Sequence, residues 1–262
     1  MKSTRLIFAF VLLFLPSAAL ATSVTFLDPY GSGGSSYPYT AGISNLAAVD
    51  VIGERQLFDI KSVSLSFTES TFSASLVFNY DARALASFSD SGLLLSPADL
   101  LFKVGGDYLY GIPIVGHSTL AAGSLYRLSG GALTAKEVLG VPAWPEAGAR
   151  WIYRPGEAVW INPTGATIIA SGGSNIVSGG VPAGFPIDGS AAGAQYTVAL
   201  TLGSMPAEFY AALFGSEVQF ASATCGNDIL AGQVPVPEPG TMILFGTGLA
   251  GLAGWGRKKF RK

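Results

Sequence analysis

Residues 62–80 read SVSLSFTESTFSASLVFNY. In the first half Val63, Leu65 and Phe67 alternate with Ser62, Ser64 and Ser66. In the second half Phe72, Ala74, Leu76, Phe78 and Tyr80 alternate with Ser73, Ser75, Val77 and Asn79. A period of two places each set on one face of a strand, so the stretch predicts two half-buried strands. Glu69-Ser70 falls at the turn between them. An antiparallel hairpin is the simplest connection.

The same signals continue outward. Val24–Leu27 predicts a short strand, followed by a Gly-, Ser-, Pro- and Tyr-rich loop from Asp28 to Thr40. Leu100–Val104 and Asp107–Ile112 flank Gly105-Gly106. Two glycines between apolar runs predict a tight hairpin, because primed turns need positive φ. Further strands are predicted at Ser124–Leu128, Ala158–Ile161, Ala166–Ala170, Tyr196–Leu202 and Glu217–Ala223. One helix is predicted in the body, over Pro206–Phe214, with Pro206 in its first turn and Gly215 at its end. Ser171–Gly193, rich in Gly, Ser and Pro, predicts long loops. No segment recurs at a fixed period. Many short strands between Gly- and Pro-rich turns point to an all-β fold, an antiparallel sandwich, with a jelly roll among the open topologies. No linker splits the body, so residues 22–234 are expected to form one domain.

Composition agrees. Of 262 residues, 49% are hydrophobic and 12% charged, about half the usual charged share. This is neither a disordered chain nor a nucleic-acid binder. The 34 glycines and 15 prolines favour turns over long helices. Seven of the 15 basic residues sit at the two ends. Residues 22–240 hold eight basic residues against 17 acidic ones, a net −9. Nucleic acid and anionic lipid would repel a body of that charge.

The first 21 residues carry the order of a secretory signal peptide. Lys2 and Arg5 precede the apolar run Leu6–Leu15, Pro16 breaks it, and Ala19-Leu20-Ala21 supplies small residues for cleavage. Cleavage is expected after Ala21, with Ala19 the next choice. The apolar run is too short for a comfortable span of about 20 residues.

The other end has three parts. Pro235, Pro237 and Pro239 punctuate QVPVPEPG and favour an extended segment. Thr241–Gly256 has no charge and would form a short transmembrane helix of about 24 Å. RKKFRK, residues 257–262, follows and would stay in the cytoplasm. Gly246, Ala250 and Gly254 recur every four residues, which fits a plain weak anchor better than a docking stripe.

Val236-Pro237-Glu238-Pro239, the Gly-rich apolar segment and the basic cluster together resemble the PEP-CTERM sorting signal. The resemblance covers residues 235–262. It implies that exosortase, an integral-membrane protease or transpeptidase, recognises Pro237, Glu238 and Pro239 at or near a processing site. It also implies a Gram-negative bacterium that makes an exopolysaccharide or biofilm matrix. The segments ADLLFKVGGDYLYG and TCGNDILAG resemble parts of exported β-sandwich proteins with such tails. A tail of this kind is attached to varied bodies, so it assigns no activity to residues 22–234.

The body offers little chemistry of its own. His117 is the single histidine, and its surroundings (IVGHSTL) hold no nucleophile motif, so a structural or surface role is expected. Cys225 is the single cysteine and is expected to be a buried apolar side chain, with intermolecular pairing as the alternative. No calcium loop, zinc spacing, P-loop or dinucleotide fingerprint appears, so no metal or cofactor is expected. Asn162-Pro163-Thr164 is not a glycosylation site, because proline holds the middle position. Trp144, Trp151 and Trp160 cluster with Tyr153 among prolines. Exposed flat rings could stack on sugars, and buried ones would cover the core.

The leading expectation is a non-enzymatic exported protein. It is held in the inner membrane by its tail and then placed at the cell surface or in the matrix. Its mature form would run from residue 22 to 237–240. Two other readings stay open: a carbohydrate-binding module using Trp144, Trp151 and Trp160, and a polysaccharide-active hydrolase using two carboxylates.

Overall fold

Serine and apolar side chains alternate along the chain because two antiparallel sheets each bury one face. The computed structural model describes residues 21–28, 36–37, 51–52, 59–79, 86–87, 94–140, 156–178, 195–224, 228–236 and 247–248. One sheet has five strands in the order β1 (Thr22–Leu27), β4 (Ile60–Phe67), β5 (Phe72–Phe78), β15 (Tyr196–Leu202) and β14 (Gly172–Ser178). The other has six, in the order β13 (Ala166–Ala170), β10 (Leu125–Leu128), β9 (Asp107–Ile112), β8 (Leu100–Val104), β16 (Glu217–Ala221) and β17 (Ile229–Gln233). Three two-stranded ladders complete the described strands. They pair β2 (Ser36–Tyr37) with β3 (Val51–Ile52), β6 (Ala86–Ser87) with β7 (Leu94–Leu95), and β11 (Ala132–Thr134) with β12 (Ala158–Ile161).

The stretch quoted first forms the predicted hairpin, with Phe67 opposite Phe72 and Leu65 opposite Ala74. Val63, Leu65, Phe67, Phe72, Ala74, Leu76 and Phe78 are all buried. The second hairpin also forms over the predicted residues, and Gly105 (φ +63°) and Gly106 (φ +104°) supply its left-handed turn. Side chains of the two sheets meet in one hydrophobic cluster. Phe78 of the five-stranded sheet packs on Phe220 of the six-stranded sheet, with ring centroids 5.1 Å apart. Phe209, from the helix Ala207–Leu213, enters the same cluster and touches the rings of Phe72, Phe102 and Tyr110.

Several expectations need correction. Gly172–Ser178 lies in a region read as loop, yet it is a seven-residue strand paired throughout with β15. Its glycines answer a packing demand. A Cβ at Gly172 would lie 2.1 Å from the carbonyl oxygen of Gly123. Here the chain leaves β13, passes Ser171 and enters β14, changing sheets within one residue. A second helix, Ala135–Leu139, went unread, although Thr134 and Glu137 form a reciprocal capping box at its start. Pro206 is the N-cap of the longer helix rather than part of its first turn. Strand β1 begins two residues before the predicted start, whereas β10 starts one residue later and β16 ends two residues earlier than predicted.

Among the described residues no helix is long and apolar enough to cross a membrane. The predicted signal helix and most of the segment 241–256 lie outside the described residues, which include only Ala21 of the first and Thr247 and Gly248 of the second.

Candidate functional site

The body is tied off at Val234, immediately before the tail begins. Val234 is fully buried. Its N–H donates to the carbonyl of Ser216 at 2.8 Å, and its carbonyl accepts from the N–H of Gly215 at 2.9 Å. The clamp is built by the end of the Ala207–Leu213 helix. Gly215 turns the chain at φ +77°, and the Ser216 hydroxyl donates back to Leu213 at 2.7 Å. Pro235 and Val236 follow at once and are exposed, Val236 to 65%. Pro237, Glu238 and Pro239 lie outside the described residues.

A second cluster lies inside the body. Asp99, just ahead of β8, is fully buried. Its carboxylate faces Nε2 of His117 at 2.9 and 3.1 Å and accepts the N–H of Ile161 at 2.8 Å. The acidic partner assigns the ring proton to Nε2. Burial pushes the Asp99 carboxyl above its ordinary 3.8, while hydrogen bonds from His117, Ile161 and Ile114 pull it the other way. The His117 ring stacks on Trp160, whose Nε1–H donates to the carbonyl of Pro97 at 3.2 Å. Nδ1 of His117 is buried and meets no hydrogen-bond partner among the described residues. The cluster ties β12 and the 113–123 loop to the start of β8.

The third group is polar and half-buried, on the face of the six-stranded sheet beside β12. The Tyr108 hydroxyl donates to Oε1 of Gln219 at 2.6 Å, and Nε2 of Gln219 donates to the carbonyl of Ala158 at 2.9 Å. Burial pushes the Tyr108 phenol up to about 12, and the charges of Glu157 and Glu217 add to the shift. Lys103 pairs with Glu217 at 3.7 Å and sits over the Tyr108 ring. This group joins two acids to one phenol. No sequence motif marks it, since its members come from four separate segments.

The structure brings the residues predicted for sugar contact together only in part. Trp160 is half-buried, with one ring face covered by His117 and its N–H engaged. Trp144, Trp151, Tyr153 and Cys225 lie outside the described residues, as does Ala19. Ala21 is exposed and directly precedes β1. Among the described residues no group of three or more His, Cys, Asp or Glu could hold a metal ion. Asp99 was missed as a partner of His117. The available signal was a lone carboxylate inside the apolar run SPADLLF.

A β body that closes at Val234 and hands over at once to a proline-punctuated tail defines a protein with an appended sorting signal. That signal is the PEP-CTERM protein-sorting motif, whose family model matches residues 235–258, and the chain is a PEP-CTERM sorting domain-containing protein. The motif makes it an exported substrate of exosortase, destined for the surface or exterior of a Gram-negative cell. Neither the curated proteins nor the solved structures contain a match to the chain.

Proposed function

We propose that this chain is a non-enzymatic structural component of an extracellular, exopolysaccharide-based matrix. Its body is a single β-sandwich spanning residues 22–234, delivered by two successive cuts. The first removes a signal peptide after Ala21. The second, at or near Pro237-Glu238-Pro239, releases the body from a transient inner-membrane anchor formed by residues 241–256.

The observation that carries this reading is the fit between the fold and the two signals. Strand β1 starts at Thr22, the residue after the expected first cut. The last pinned residue, Val234, directly precedes the matched motif. Both cuts therefore leave every strand of the two large sheets intact. The sandwich description is supported by the shared core, in which rings from both sheets touch. The non-enzymatic description is supported by the site chemistry. Asp99 spends its carboxylate on His117 and the N–H of Ile161, and Tyr108 is tied to Gln219.

Replacing Pro237, Glu238 and Pro239 together by alanine tests the processing step. The account expects the variant to accumulate uncut in the inner membrane fraction. Normal release of that variant would reject recognition through this motif.

A further inference from the structure

The tail leaves from one identifiable end of the six-stranded sheet. Register places Gln233 opposite Glu217, and Glu217 opposite Lys103. Lys103 pairs in turn with Tyr108, next to the Gly105-Gly106 turn. The end of β17, the Gly215-Ser216 clamp and the β8–β9 turn therefore share one end of the sheet. Only residues 235–240 separate the pinned Val234 from Thr241, where the uncharged segment begins. Six residues span at most about 20 Å when fully extended.

The composition of this end suits close approach. Gly105, Gly106 and Asp107 are exposed, and a Cβ at either glycine would meet nothing within 4 Å. Lys103 pairs with Glu217, while Asp107 at the turn and Glu157 beside Tyr108 give this end a small negative charge. The absence of side chains at Gly105 and Gly106 lets another surface approach the turn closely.

We propose that this end, formed by the Gly105–Asp107 turn and the Gly215–Glu217 segment, is the face the folded body turns to the membrane-embedded processing enzyme, and that the body stays folded, β17 included, while its tail is cut. The proposal rests on the sorting reading, which supplies the anchored tail. The short tether supplies the orientation. The tether keeps Val234, and with it this end of the sheet, within about 20 Å of Thr241.

The test uses the full chain in its own host, with a photo-crosslinking amino acid at Asp107 or, as control, at Asn175. Asn175 is exposed on β14, at the opposite edge of the five-stranded sheet from β1, whose Phe26 packs against Gly232 of β17. The Asp107 probe should yield an adduct with the processing enzyme at least about fivefold above the Asn175 probe, and a Gly/Ser spacer of about 20 residues before Pro235 should abolish that excess. Equal yields from the two probes would overturn the assignment of the face. An adduct of Asp107 with lipid alone would also overturn it and would leave the membrane surface as the neighbour. Tail removal is scored on the same chains. A wild-type chain that keeps its tail rejects the sorting reading, whereas a correctly cut chain with equal adducts rejects only the face.

Discussion

The imidazole of His117 lies flat on the indole of Trp160, with centroids 4.1 Å apart and planes 8° from parallel. The two rings come from distant segments, and Asp99 holds the imidazole edge-on while also capping the N–H of Ile161. One buried carboxylate thus fixes a loop and an outlying strand at the same time. Removing it leaves His117 and Ile161 without their acceptor. Asp99→Ala should lower stability by about 1–3 kcal/mol for each buried donor left unsatisfied. Urea unfolding followed by tryptophan fluorescence reads this directly. A variant within about 0.5 kcal/mol of the wild type would show that the cluster contributes nothing.

The same carboxylate predicts a pH dependence. Its folded-state pKa is raised above 3.8, so the folded state favours the protonated form. The stability it contributes is present in full below about 3.8 and is lost as pH rises through the folded value. Asp99→Asn should remove that decline whatever its effect on absolute stability. Unfolding midpoints collected from about pH 3 to pH 7 supply the comparison. Parallel profiles for the two proteins would count against the assignment.

Tyr108 should ionise well above the ordinary phenol value of 10. Its pKa is raised to about 12 by burial, then by Glu157 and Glu217. Ultraviolet titration of the wild type minus Tyr108→Phe should show a single tyrosinate step near 12, and Glu217→Gln should move that step downward. A difference step near the ordinary value of 10 would contradict the half-buried placement.

Gly123 has φ +73° and lies against the backbone of Gly173, where a Cβ would come within 2.2 Å of the carbonyl carbon. Both the dihedral and the contact forbid a side chain. Gly123→Ala should cost about 2–3 kcal/mol and loosen the passage from β13 to β14. Hydrogen exchange should quicken at β14 amides before those of β5. Unchanged exchange together with unchanged stability would mean that the two segments do not meet this closely.

The contrast between these sites and the rest of the chain explains what could be read in advance. Serine alternating with Val, Leu and Phe over residues 62–78 states which face is buried, and the structure obeys it residue by residue. The Gly105-Gly106 turn is equally local. Strand β14 was hidden because Gly172 and Gly173 carry no apolar side chain, and Gly172 leaves room for the backbone of Gly123, 49 positions earlier. Asp99 and His117 stand 18 residues apart on no shared periodic face, so only the fold joins them. The capping box at Thr134 was local and legible, but five helical residues leave too little apolar periodicity to attract notice. The tail was readable because its chemistry is linear. Its prolines, its uncharged segment and its basic end follow one another in the chain and need no partner from the fold.

The central claim is that the folded body, from Thr22 to Val234, is what survives two cuts. The intact mass of the mature protein, recovered from its own host, tests this most directly. The account predicts a mass that begins at Thr22 and ends between Pro237 and Gly240, with the apolar segment and RKKFRK gone. A mass that retains RKKFRK would contradict it and would make the tail a permanent anchor.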